Sequence, residues 1–143
     1  MALDLQKLFV DVFHPESDEC VVVLVDVPHG EYTDHDLWRE RRDMAIEWQA
    51  GWEVLAKDVG FDVLPLVSFP ASGAHNANLP LEAGDPMALR AALEKATLAL
   101  ALTQYSATAP LSAWATDHDD FRAASLPQVA RRMEKTALAA DYA

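Results

Sequence analysis

The chain has little of what most directly signals nucleotide, disulfide or membrane chemistry. Its five glycines, at positions 30, 51, 60, 73 and 84, stand alone. Neither GxGxxG nor GxxxxGK[ST] can be assembled from them, which argues against a dinucleotide or P-loop enzyme. Cys20 is the single cysteine, so no internal disulfide forms, and the simplest compartment is the reducing cytoplasm. Basic residues are scarce, 11 Lys and Arg against 23 Asp and Glu, a formal charge of −12. Such a surface repels phosphate backbones and anionic lipid, so nucleic acid and membrane are not expected partners. The longest apolar runs, 21–25 and 98–102, fall far short of the roughly 20 residues of a membrane helix. Segment 1–12 carries Asp4, Lys7 and Asp11 and has no cleavage pattern of a signal peptide.

What is present is a core. At 143 residues and 51% hydrophobic content, the chain is the size of one domain, 1–143. Leu5, Leu8, Phe9 and Val12 recur at helical spacing behind Asp4, a capping residue, and stop before His14 and Pro15. Residues 20–25 are apolar at each position, the pattern of a parallel strand buried on both faces. Thr33 and Asp36 resemble a capping box, after which Leu37, Met44, Trp48, Trp52, Leu55 and Val59 define one face of a long helix ending near Gly60. Gly51 within it suits close packing or a bend. The second strand is 61–69, where Pro65 requires an edge position or a bulge.

A long loop over 70–84 leads to a third helix opened by Asp85 and Pro86, with Leu89, Ala92, Leu93 and Ala96 inward. The third strand is 98–102. A fourth helix starts near Pro110, a fourth strand covers 121–124, and Ser125, Leu126 and Pro127 lead into a last helix with Val129, Met133, Ala137 and Ala140 inward. The order α, then four βα units, predicts an open α/β sheet of about four mainly parallel strands with helices on both faces. The last helix has no terminating residue before Ala143, as in a chain cut before its natural end.

Ligands of such sheets bind beyond the carboxyl ends of the strands, which directs attention to two loops. The segment 98–111, LALALTQYSATAPL, runs from an apolar strand into Thr103, Gln104, Tyr105, Ser106 and Thr108. Capping of the next helix by Ser106 or Thr108 is the plainer reading, and hydrogen bonding to a ligand the functional one. No GxSxG elbow surrounds Ser106, so no nucleophile and no catalytic residue is assigned.

The other loop, DVPHGEYTDHD, follows the first strand with Asp26, His29, Glu31, Asp34, His35 and Asp36. A metal site of Asp26, His29 and His35 is its sharper reading. Turn, cap and solvated charge form the plainer one, because Pro28 and Gly30 put His29 in a turn. Asp26 and His29 stand nearest the strand end and are its ligand-facing candidates. His75, in SGAHNANLP, reads as a solvated loop histidine, with a lid or partner contact as alternative. Cys20 reads as a small buried hydrophobe, the tryptophans as packing, and residues 39–42 as a solvated helix face.

Two segments together, LALTQYSATAP and FRAASLPQVARRM, resemble the amino-terminal domain of the aminopeptidase T-like (thermophilic leucyl aminopeptidase) metallopeptidases and their dihydroxypyridine dioxygenase-like relatives. The resemblance is carried by Ser106, Thr108 and Pro110, then by Ser125, Leu126 and Pro127, with VVVLVDVPHGE matching the first strand to its acidic end at Asp26. It spans nearly the whole chain and the first half of such a protein, while VDVPHGEYTDHDLWRERR departs from the peptidase pattern.

The resemblance implies a Rossmann-like first domain and a carboxy-terminal catalytic domain whose glutamates, histidine and aspartate bind a divalent metal. No metal ligand and no cofactor transfers to a residue of this chain. Asp26, His29, Thr103, Ser106, Thr108 and Ser125 would line one wall of the cleft, and a homodimer contact is allowed. The alternative is a free-standing α/β module that binds a small polar ligand. A reading frame continuing past Ala143 by about another domain would favour the enzyme half.

Overall fold

The apolar run at 20–25 forms the centre of the sheet because both of its faces are covered. In the computed structural model, described for residues 4–134, β1 (Cys20–Val27) follows α1 (Leu5–Phe13) and precedes the long α2 (Asp36–Val59). Then come β2 (Asp62–Val63), β3 (Val67–Pro70), α3 (Leu89–Lys95), β4 (Leu98–Thr103), α4 (Thr108–Asp117), β5 (Arg122–Pro127) and α5 (Arg131–Glu134). The described strands form one parallel sheet: β4 flanks β1 on one side, β2 and β3 flank it on the other, and β5 pairs with β4. This is the expected open α/β sheet, Rossmann-like in arrangement, with five strands instead of four.

The extra strand comes from Pro65. β2 pairs with Cys20 and Val21 and β3 resumes at Leu24, so the ladder breaks where proline has no N–H to donate. As its proline requires, this strand lies at the sheet edge.

Alternation along β1 divides the core in two. Val21, Val23 and Val25 pack with Phe9, Met44, Trp48 and Trp52 from α1 and α2. Val22 and Leu24 pack on the opposite face with Leu89, Leu93 and Leu111 from α3 and α4. Phe9 stacks on Trp52 at 4.1 Å between ring centroids, and Gly51 admits this approach because a Cβ there would stand 3.3 Å from Phe9 Cε2. Close packing, not a bend, therefore accounts for that glycine. Gly51→Ala should stay within about 1 kcal/mol of wild type in urea unfolding, since helix propensity offsets the tight contact. Gly51→Leu should cost about 2 kcal/mol by wedging α1 outward. Equal stability of the two variants would refute the close contact.

Several expected boundaries move, each for a local reason. The apolar stripe of α2 begins at Trp38, while Leu37 is 51% exposed and Val59 lies on the surface. Val12 of α1 is likewise exposed. His35, not Thr33, caps α2, its Nδ1 accepting the Trp38 N–H at 3.2 Å. Asp85 pairs both its N–H and its C=O with Ser68 at 2.9 Å, which keeps it extended and delays α3 to Leu89. The β4 register holds β5 as far as Pro127, so Ser125, Leu126 and Pro127 are strand residues and not a lead into a helix. Val129 is buried and Met133 packs beside it, as the last helix requires, whereas Ala137 and Ala140 lie outside the described residues.

Candidate functional site

The strand order reverses between β1 and β4. From β1 the chain passes through α2 to one edge, then through α3 to β4 on the other side of β1. The crevice beyond the carboxyl ends of these two strands is where ligands of this architecture bind. Here the protein's own groups fill it.

Asp26, at the end of β1, is 1% exposed. Its Oδ1 accepts the Gln104 N–H at 2.8 Å and its Oδ2 the Tyr105 N–H at 3.1 Å, where a ligand anion would otherwise meet free amides. The Trp38 indole N–H points at the same residue, 3.0 Å from its carbonyl oxygen and 3.2 Å from Oδ1. Burial pushes the Asp26 carboxyl above its ordinary range, while the two amides, the indole and the Arg41 charge pull it back. Its role is to fasten β1 to the β4–α4 loop.

Arg41 lies below, 1% exposed, although it belongs to the run expected to be solvated. Its Nε donates to the Val129 carbonyl and its Nη1 to Gln104 Oε1, both at 2.8 Å. Burial lowers the guanidinium pKa, and Asp26 and Glu40 counter it. Spacing could have revealed this residue: Trp38, Arg41, Ala45, Trp48 and Trp52 follow at intervals of three, four, three and four. The β1–α2 loop is held from outside by Asp34, which Arg42 grips through both carboxylate oxygens at 3.0 and 2.7 Å. That hydrogen bonding brings the Asp34 carboxyl down to about 2.

Ser106 and Thr108 serve mainly as helix-start groups. Ser106 Oγ accepts the Thr108 N–H at 3.3 Å and lies 3.0 Å from Thr108 Oγ1. The next amide, Ala109, donates 2.9 Å across to Asn76 Oδ1, and Pro110 has no N–H. The first amides of α4 are thus occupied or absent, which leaves little for an anion. Asn76 gave no signal in the sequence because its partners lie about 30 positions away. His75, expected to be solvated, is exposed but bonded: its Nδ1 accepts the Ser106 N–H at 2.9 Å. Its ring lies 5.7 Å from Tyr105, which also meets Tyr32 at 5.8 Å and Trp38 at 6.1 Å.

Of the expected ligand-facing residues, His29 alone lines an open cleft at this edge. The cleft, of about 460 Å³, lies between the β1–α2 loop and the 71–84 segment, with Glu31, Tyr32, Ser72 and Asn78 around it. Thr103 is 0% exposed, its Oγ1 without a hydrogen-bond partner. Ser125 and Thr108 line a separate groove of about 120 Å³ between α4 and β5, and the buried Ser125 Oγ is also unpartnered.

The set Asp26, His29 and His35 does not assemble: the Asp26 oxygens take amides, and His35 Nδ1 caps a helix. Among the described residues no group of three His, Cys, Asp or Glu could hold a metal, and no helix is long and apolar enough to cross a membrane. Cys20 is half-buried, its thiol pushed up by burial and by the neighbouring Asp62 charge. Comparison with protein-family models, with curated proteins and with solved structures gave no match. The fold and site therefore define the class, an open parallel α/β domain with a polar cleft at its carboxyl edge.

Proposed function

We propose that this chain is a binding wall and not a self-sufficient catalyst: the amino-terminal substrate-cleft domain of an aminopeptidase T-like hydrolase of the cytoplasm. One observation carries the reading. At the carboxyl edge the charged groups Asp26 and Arg41 are spent on internal hydrogen bonds, while a cleft beside them is lined by imidazole, phenol, hydroxyl and amide groups. Such a set recognises a small polar molecule without supplying an activated nucleophile. Glu31 and the acidic surface favour a ligand bearing an amine, as the free end of a peptide does. The donors present do not fit a metal, so bond breaking and metal binding are assigned to a partner domain and no step is routed through this one.

The test is titration of the purified chain with leucinamide, followed by NMR. Shifts should map to His29, Tyr32, Ser72 and Asn78, and Tyr32→Phe should weaken binding about fivefold, the loss of one neutral hydrogen bond. Leucine p-nitroanilide should not turn over with Zn²⁺ or Mn²⁺ added. Turnover that Asp26→Ala or Ser106→Ala abolishes, or shifts absent from the cleft, would overturn the proposal.

A further inference from the structure

The segment joining β3 to α3 is tied down at each end. Ala71 donates its N–H to the Val27 carbonyl at 3.0 Å, and Asp85 pairs with Ser68. Between these ends it crosses to the β4–α4 loop and is bonded there at His75 and Asn76. The Asn76 N–H meets the Ser106 carbonyl at 2.8 Å, Asn76 Oδ1 takes the Ala109 N–H, and His75 Nδ1 takes the Ser106 N–H. Ser72 and Asn78, which line the cleft, flank this fastening. Gly73 lets the strap lie against Tyr32, since a Cβ there would overlap the phenol oxygen at 1.8 Å.

We propose that the strap is an acid-released latch: protonation of His75 removes one of the bonds that tie it to the β4–α4 loop and loosens the movable wall of the cleft. The chemistry is that of the acceptor atom. Nδ1 can accept an amide only through a free lone pair, and a protonated imidazole presents N–H at both nitrogens. Ser106 N–H would then face another donor. Because His75 is exposed, the proton arrives without prior unfolding.

The groups facing the ring are the Tyr105 phenol and Ser106 from the β4–α4 loop and Asn76 beside it on the strap. Asp26, behind Tyr105, is already shared between the Gln104 and Tyr105 amides. The Asn76 bonds do not titrate, so acid weakens the latch without abolishing it. Asn76 itself stands at φ 60°, a left-handed conformation that asparagine tolerates.

That the latch controls ligand access rests on the binding-wall reading, but the latch itself does not. Hydrogen exchange of the ligand-free chain therefore tests it, at about pH 7.5 and about pH 5. After correction for intrinsic rates, protection of the Asn76 amide should fall about fivefold in acid, the equivalent of one neutral hydrogen bond. His75→Gln keeps a neutral acceptor and should make that protection independent of pH. His75→Ala should be loose at both values. His35→Asn, which keeps a capping side chain on α2, should preserve the wild-type response.

An acid response unchanged in His75→Gln, or one lost in His35→Asn, would overturn the latch, as would a wild-type strap equally protected at both pH values. If leucinamide fails to bind while the strap still loosens, the binding-wall reading falls and the latch stands.

Discussion

Replacing Asp26 with alanine should lower the unfolding free energy by about 3 kcal/mol at neutral pH, because two backbone amides lose their acceptor in a buried place and the Trp38 indole N–H keeps only the backbone carbonyl of residue 26. The midpoint of urea unfolding should shift with little change in slope, since the chain still folds to the same surface. Asp26→Asn should recover part of the loss. One end of its amide accepts as the carboxylate did, whereas the other is a donor facing a donor.

The pH dependence has a definite sign. Burial raises the folded carboxyl above its ordinary value, so the folded state holds this proton more tightly than the unfolded state. Asp26 therefore contributes most below the ordinary carboxyl range of about 4, and its contribution falls as pH rises through the raised value and is level above it. The gap between wild type and Asp26→Ala should narrow over that interval. A gap that widens with pH would mean that the amides and Arg41 outweigh burial.

The same residue illustrates which features can be read along a chain. Strands β1 and β4 were legible because burial on both faces leaves an unbroken apolar run, and Pro65 marked an edge because a missing donor is tolerated there. Asp26 was legible as a position, the acidic end of the central strand, but its partners were not. They are backbone amides 78 and 79 residues away, and an amide has no letter in a sequence.

Asn76 and His75 were hidden for the same reason: Ser106 and Thr108 were legible as groups at the start of α4, but the bond from the Ala109 amide to Asn76 Oδ1 reaches a distant loop. Met44, Trp48, Trp52 and Leu55 of the α2 stripe are buried as expected, but its start was misjudged because Leu37, apolar and adjacent to the buried Trp38, imitates it. Arg41 was missed by residue type alone. Its spacing placed it on the buried face, and a charge at such a position needs a partner.

Arg41→Ala should cost about 3 kcal/mol, comparable to the loss at Asp26, because it strips a partner from the Val129 carbonyl and from Gln104 Oε1 and leaves a gap under α2. Arg41→Lys should recover little. A single ammonium cannot reproduce a fork that donates from Nε to one carbonyl and from Nη1 to another. The two sites meet at Gln104, whose side chain accepts from Arg41 while its backbone N–H donates to Asp26.

The double variant Asp26→Ala/Arg41→Ala should therefore be less destabilised than the sum of the single changes, by about 1 kcal/mol, because each removal already loosens the residue on which the other depends. Opposite charge works in the same direction. Either single change leaves a buried ion without its counter-charge, and the double change leaves none. Additive losses in a urea-unfolding cycle would show that Asp26 fastens the β4–α4 loop and Arg41 fastens the segment after β5 as two separate anchors. Coupled losses would mean that one buried network holds the floor on which Tyr105 and the strap rest.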